Sequence, residues 1–149
     1  MSNNPFSSVV KNSLHRVDSV VKAARDLEEY LVKASEALND TITGPQTIYL
    51  TSDDAKSTAR FNAFLSFIDN TNGVDKNTNK NISICNGLTG ELVARWKVNK
   101  EATEMTITIG KVVNIYPVNE TGYINAISDI LESSEVMTQA VKLRNSTTI

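Results

Sequence analysis

Apolar residues recur at alternating spacings of three and four over residues 4–38, which predicts one long amphipathic helix. Asn4 suits the N-cap, because its side chain can accept a hydrogen bond from a free backbone N–H group. Pro5 suits the first helical position, where a missing N–H leaves no bond unmade. We therefore expect the chain to begin with a helix of about nine turns.

Two apolar runs overlap along this predicted helix. The first consists of Val10, Leu14, Val17, Val21 and Ala24, and the second of Val20, Ala24, Leu27, Leu31, Ala34 and Leu38. The runs are offset by one residue, as a three-residue stammer in a heptad pattern would give. Charged residues at a spacing of four occupy the other faces and support the helix.

The length of this helix is its most informative property. Residues 4–38 would span roughly 50 Å, whereas a compact domain made from the rest of the chain would measure roughly 35 Å across. The helix therefore either bends near the stammer and folds back, or leaves an apolar seam that another chain covers. A third reading is an ordinary core helix that begins nearer Ser8. We expect the second, with a partner-binding seam made of Val10, Leu14, Val17, Val20, Val21, Leu27 and Leu31.

The remaining pattern predicts an α+β domain. We expect a strand at 46–51, a central helix at 53–68 capped by Ser52, a polar loop at 69–81, and alternating strands near 82–85, 91–99 and 104–109. Residues 112–118 either continue the last of these strands past a bulge or form a further strand after a turn. A C-terminal helix from Thr121 follows, which Ser133 and Ser134 bend or split. Leu92, Ala94, Trp96 and Val98 are predicted to share one face of their strand, and Pro117 to lie at a sheet edge. The predicted fold is a long N-terminal amphipathic helix, an antiparallel sheet of three to five strands, a central helix and a C-terminal helix.

The predicted organisation is an N-terminal helix at 1–40, a compact domain at 41–143 and a loose tail at 144–149. The chain has 149 residues with a net charge of −2 and mixed charges, so neither a nucleic-acid surface nor a membrane-binding helix is indicated. Cys85 is the only cysteine, and the N-terminal residues lack the pattern of a secretory signal. These features predict a soluble cytoplasmic protein.

Candidate chemistry in the sequence is sparse. Asp75, Asn77 and Asn79 match the first ligand positions of an EF-hand loop, but the required Gly and the final Glu are replaced by Lys80 and Asn86. Nucleophilic catalysis needs a base beside a cysteine or serine, and His15, the only histidine, is predicted to be a helix-surface residue next to the seam. We therefore predict no catalytic, metal-binding or cofactor-binding residue.

Two functional hypotheses follow. The first is a non-enzymatic interaction protein, such as an adaptor, an inhibitor or an assembly accessory protein, that forms a homo-oligomer or captures another protein through its N-terminal helix as in a coiled coil. The second is a small enzyme or a protein that binds a nucleotide or another small ligand at the sheet edge and the 69–81 loop, with Asp69, Asp75, Arg95 and Lys97 as its polar groups.

Overall fold

The computed structural model describes residues 4–54 and 78–146, and these form an α+β fold. Its elements are α1 (Ser7–Thr41), β1 (Tyr49–Asp54), β2 (Asn79–Cys85), β3 (Gly90–Val98), β4 (Glu104–Ile109), β5 (Val112–Pro117), α2 (Glu120–Glu132) and α3 (Ser134–Arg144). The strands form one antiparallel sheet in the order β1-β2-β3-β4-β5. A long N-terminal helix and a five-stranded antiparallel sheet confirm the predicted fold class.

Helix α1 is a single uninterrupted α-helix of 35 residues, which makes it roughly 52 Å long. It begins at Ser7, slightly later than the sequence pattern predicts. The side chain of Asn4 accepts a hydrogen bond from the backbone nitrogen of Phe6 at 2.9 Å, so Asn4 stabilises the turn that leads into the helix. None of the helices in the described residues is long and apolar enough to cross a membrane.

The core lies between the sheet and the helices. Alternate residues of each central strand are buried, among them Ile82, Ile84, Ala94, Trp96, Val98, Met105 and Ile107. The indole N–H of Trp96 points to the sulfur of Met105 on the neighbouring strand, with 3.2 Å between nitrogen and sulfur. The prediction that Trp96 belongs to the core is therefore confirmed.

Leu92 does not share the buried face of β3, so that part of the sequence prediction is wrong. The pairing of β2 with β3 shifts between Ile82 and Ser83: Ile82 lies opposite Ala94, but Ser83 lies opposite Leu92. One extra residue, Val93, is thereby accommodated in β3 as a bulge. Because side chains alternate along a strand, the bulge reverses the expected orientation, and Leu92 is exposed.

Strand β1 begins and ends three residues later than predicted, and Ser52 is not a helix cap. Ser52 and Asp53 continue the strand, opposite Ile82 and Asn81 of β2. The Ser52 hydroxyl donates to the carboxylate of Glu28 on α1, so tertiary pairing takes precedence over the local capping signal. The helix predicted at 53–68 and most of the loop at 69–81 lie outside the described residues, although β2 begins at Asn79, within the range predicted as loop.

The C-terminal half of the fold follows the sequence pattern closely. Gly110 has a φ of +61° in the two-residue turn between β4 and β5, and the following Lys111 has a negative φ, as in a type II′ hairpin. Strand β5 is an edge strand, as Pro117 predicts. The C-terminal helix is split at Ser133 into α2 and α3.

The end of α3 is fixed to the rest of the domain through Arg144. Its guanidinium donates to the carbonyl oxygens of Ile42 at 2.8 Å and Asn39 at 3.3 Å, and to that of Gln46. The backbone nitrogen of Gln46 in turn donates to the Arg144 carbonyl at 3.0 Å. Arg144, which the sequence pattern assigned to a loose tail, therefore joins the C-terminus of α3 to the C-terminus of α1.

Candidate protein-interaction surface

The first third of α1 makes few contacts with its own domain. We name residues 6–19 the projecting segment, because none of them is buried and the buried residues of α1 begin at Val20. Val10 and Leu14 are 54% and 59% exposed, whereas Val20 is 1% exposed. A run of apolar side chains on a projecting helix is a feature of protein-binding surfaces.

The structure divides the predicted partner-binding seam into two groups. Val10, Leu14 and Val17 are exposed on the projecting segment. Val20, Leu27 and Leu31 are fully buried in the core of their own domain, and Val21, at the boundary, is half-buried. Of the predicted seam, only Val10, Leu14, Val17 and the adjoining side of Val21 are therefore accessible as a candidate interaction surface on α1.

The boundary between the two groups coincides with the offset between the two apolar runs. The exposed run ends at Val21, and the buried run begins at Val20, one position earlier. One residue corresponds to a rotation of about 100° around a helix axis. From Val20 onward, the helix therefore packs one face against its own core. Along the projecting segment, the exposed apolar run lies on a neighbouring face.

Two tyrosine rings hold α1 against α2 just after this boundary. The Tyr123 hydroxyl donates to the backbone carbonyl of Ala23 at 2.7 Å, and its ring stacks on Tyr30 with 5.1 Å between centroids. The Lys33 ammonium lies 5.1 Å from the Tyr30 ring centre. Burial raises the pKa of Tyr123, and the charge of Asp26 adds to this effect. These contacts hold α1 against α2 at the base of the projecting segment.

Polar side chains of α1 also cover the outer edge of β1. The side-chain oxygen of Asn39 accepts from the backbone nitrogen of Ile48 at 2.9 Å, and its amide donates to the Ile48 carbonyl at 2.6 Å. One helical turn earlier, Ser35 accepts from the backbone nitrogen of Leu50 at 2.8 Å. These bonds satisfy backbone groups that an edge strand otherwise leaves free. They also fix the direction in which α1 leaves the domain.

The charges near the projecting segment are few and of both signs. Lys11, Arg16 and Asp18 are exposed on it, and Lys22 forms an ion pair with Asp26 at 2.6 Å just beyond. The hydrogen bond and the charge of Asp26 raise the pKa of Lys22. Such a mixture leaves no strongly basic or acidic patch, so apolar contact is the principal interaction that this surface offers.

Two further residues of this surface were missed by sequence reasoning. Phe6 and Val9 are exposed and apolar, and they extend the surface to the start of α1. Phe6 lies four positions before Val10, and this helical spacing is the signal that could have included it. Val9 lies on the same face of α1 as the buried Val20. Its exposure could not be predicted from spacing, because it depends on where the domain stops covering that face.

The alternative ligand site has less support from the described residues. Arg95 and Lys97 are exposed on the sheet face opposite the helices, where they lie opposite Asn81 and Asn79 of β2. Their predicted partners Asp69 and Asp75 lie outside the described residues. Within 4–54 and 78–146, no three His, Cys, Asp or Glu side chains come together as a metal site.

An open groove of about 700 Å³ lies between the start of β3, the β4–β5 turn and the start of α3. Its charged lining residues are Glu91, Arg95 and Glu135. Cys85 does not line it, and burial together with the charge of Asp53 raises the pKa of that thiol. A raised pKa decreases the thiolate fraction, so Cys85 is poorly suited to nucleophilic catalysis.

Comparison with family models, with curated proteins and with solved structures finds no significant match.

Proposed function

We propose that this chain is a non-enzymatic interaction protein that self-associates through the projecting segment of α1. The observation that carries the proposal is the exposed apolar run Val10, Leu14 and Val17 on a helix that is firmly held at its base. Removing this run from water on association is favourable in proportion to the apolar area covered. The occupant that we propose is the same segment of a second copy, in antiparallel orientation.

The spacing of the run fits helix pairing. Val10, Leu14, Val17 and Val21 follow one another at intervals of four, three and four residues, which places them at successive d and a positions of a heptad. In an antiparallel pair, Leu14 packs beside Val17 of the partner subunit, and Val10 beside Val21 of the partner subunit. Each layer then combines one a and one d side chain, and the half-buried Val21 becomes covered.

Charge complementarity favours this antiparallel arrangement over a parallel one. Lys11 and Asp18 occupy the e positions that flank the run. In the antiparallel pair, Lys11 approaches Asp18 of the partner subunit, and the symmetry repeats this contact at the other end. A parallel pair would instead place Phe6 near a lysine and Ser13 near an aspartate. Each ion pair at such an exposed position stabilises the pair of helices by only about 0.2–1 kcal/mol, but it favours the antiparallel orientation.

The position of the domains leads to the same arrangement. The domain packs against one face of α1 from Val20 onward, so a parallel pair would bring two domains side by side at the same level. An antiparallel pair places them at opposite ends of the overlap. The overlap is only about three helical turns, so we expect a concentration-dependent equilibrium and not an obligate dimer.

We include a cytoplasmic location in the proposal, because a chain with one free cysteine and no possible internal disulfide suits a reducing compartment. An adaptor or an assembly accessory protein is the class that best fits an oligomerising module for which the sequence predicts no catalytic residue. A different protein bound to the same surface is the competing outcome, which the experiment below distinguishes.

Sedimentation equilibrium of the wild type and the Leu14→Asp variant tests the proposal. We expect the wild-type average mass to rise with concentration, and the Leu14→Asp mass to be lower at each concentration, because a charge would then occupy the apolar layer. Asn12→Asp is the matched control, since Asn12 is exposed on the same segment but points away from the run. Equal masses for the wild type and Leu14→Asp would contradict self-association through the projecting segment and would favour a different protein as its occupant.

A further inference from the structure

The backbone groups at the two edges of the sheet differ in how many hydrogen-bond partners they have among the described residues. At the start of β1, the outer edge is covered by Ser35 and Asn39 of α1. The outer edge of β5 receives no such cover: among the hydrogen bonds of the described residues, none reaches the outward backbone groups of Val113 or Ile115. An uncovered edge strand presents N–H and C=O groups that another strand can pair with.

The hairpin register identifies which groups of β5 point outward. Ile109 lies opposite Val112 across a two-residue turn, and such a pair exchanges its hydrogen bonds within the hairpin. Because the pattern alternates, Asn114 bonds to β4, whereas Val113 and Ile115 direct their N–H and C=O groups away from the sheet. Toward the end of the strand the edge closes, since the backbone nitrogen of Asn119 donates to the Pro117 carbonyl at 3.0 Å.

The composition of β5 lacks the protection that edge strands usually have. The strand VVNIYP contains no charged residue, and its only proline is the last residue. The side chains of Val113 and Ile115 are 58% and 66% exposed. Natural edge strands avoid pairing through lysines, prolines, bulges or a covering element. Five successive residues without these devices, 112–116, indicate a strand that is used for pairing.

We infer that β5 pairs antiparallel with β5 of a second copy, about a two-fold axis that passes beside Asn114. In this register Val113 lies opposite Ile115 of the partner subunit and exchanges both backbone hydrogen bonds with it, and the symmetry repeats the pair. The outward groups of both copies are thereby satisfied. The facing side chains are β-branched, the type that pairs most favourably across strands.

Charges at the ends of the strand also fit a second copy. The same register brings Lys111 level with Pro117 of the partner subunit. Glu104 lies opposite Pro117 within each chain, so Lys111 extends toward Glu104 of the partner subunit on the same sheet face. Two strand spacings, roughly 10 Å, separate the two backbones, a distance that the two long side chains can bridge. The two-fold symmetry forms this contact at both ends.

This interface is independent of the helix pair proposed above. It uses β5 at the far edge of the sheet, whereas α1 lies along β1 at the opposite edge. A chain that carries two different self-complementary surfaces can link copies into assemblies larger than a dimer. The α1 and β5 interfaces together would join more than two copies, which goes beyond the helix pairing of the proposed function.

The experiment uses the Leu14→Asp background, in which the helix pair is removed. We expect sedimentation velocity to show that this variant still dimerises as its concentration rises, and that adding Ile115→Lys makes it monomeric. Leu88→Lys is the matched control, because Leu88 is a similarly exposed apolar residue in the β2–β3 turn. It should leave the dimer unchanged.

Amide hydrogen exchange provides a second readout that a loss of folding would not imitate. We expect exchange at Val113 and Ile115 to slow at least tenfold between dilute and concentrated Leu14→Asp protein, while exchange at Asn114, already bonded to β4, changes little. A Leu14→Asp protein that stays monomeric with rapid exchange at Val113 and Ile115 would overturn the inference. So would a dimer that Ile115→Lys leaves intact.

Discussion

The hydroxyl oxygen of Ser35 accepts a hydrogen bond from the backbone nitrogen of Leu50 at 2.8 Å, and so joins the C-terminal part of α1 to the edge of the sheet. Ser35 also donates to the Leu31 carbonyl one turn earlier, at 2.8 Å. A buried serine in a helix thus serves as a backbone partner for a strand. This contact and its neighbour at Asn39 determine how α1 crosses the domain and where its N-terminal end projects.

Asn39→Ala should lower the free energy of unfolding by about 2 kcal/mol, because it leaves the backbone N–H and C=O groups of Ile48 without partners in a half-buried position. Urea unfolding followed by circular dichroism measures the change. Asn12→Ala is the control: Asn12 is exposed on the same helix, and its replacement should change the free energy of unfolding by less than about 0.5 kcal/mol. Equal effects would show that the contact to Ile48 contributes nothing.

Tyr116 should make stability sensitive to alkaline pH. Burial raises the pKa of its phenol to about 12, and the hydrogen bond that it donates to Asp129 adds to the shift. Because the pKa in the folded state exceeds the ordinary value of 10.0, the neutral phenol stabilises the fold fully below pH 10, and this contribution is lost as the pH rises through about 12.

The Tyr116→Phe variant isolates that contribution. We expect it to be less stable than the wild type near pH 8 by about 1 kcal/mol, the typical net value of a hydrogen bond. The difference in the free energy of unfolding should narrow above pH 10, because the wild type alone loses the contribution of Tyr116. A difference that stays constant up to pH 12 would mean that the phenol titrates normally in the folded state.

Cys85 should react slowly with iodoacetamide in the native protein. Burial raises the pKa of its thiol first, and the carboxylate of Asp53 second, so the thiolate is scarce near neutral pH. We expect unfolding in urea to increase the rate severalfold, and Asp53→Asn to increase it by a smaller factor. Mass spectrometry of the alkylated chain measures both rates. A native thiol that reacts as fast as the unfolded one would contradict the proposed environment.

Much of the fold could be predicted because its local signals agree with its tertiary contacts. The alternation of Met105 and Ile107 with threonines predicts β4, and Gly110 is a local signal for the turn that connects β4 to β5. The long helix follows from its apolar spacing. Where local and tertiary preferences conflict, prediction fails: Ser52 has the composition of a helix cap, but strand pairing with Ile82 extends β1 through it.

The interaction surface was only partly predictable for a related reason. Spacing alone cannot distinguish an apolar residue that faces its own core from one that faces a partner, so Val20, Leu27 and Leu31 appeared in the same seam as Leu14. The distinction depends on where the sheet and α2 end along α1, which is a property of the assembled domain. The bulge at Val93 is likewise invisible in the β3 pattern, because its cause lies in the pairing with β2.

The distance between two copies of the projecting segment tests the central claim most directly. On a Cys85→Ser background, a spin label at Ser8→Cys reports the arrangement, since Ser8 is exposed on a face away from the apolar run. In the antiparallel pair, Ser8 lies at the same level along the helix axis as Ala23 of the partner subunit. The two labels are then separated by roughly 23 Å along the helix axis.

Pulsed dipolar spectroscopy at high protein concentration should show a distance population near that value, and Leu14→Asp should abolish it. A parallel pair would place the labels only about 10 Å apart, the usual spacing between packed helices. A short distance of this kind would contradict the proposed orientation. The absence of any dipolar coupling in that range, in a wild-type sample at high concentration, would contradict self-association through α1.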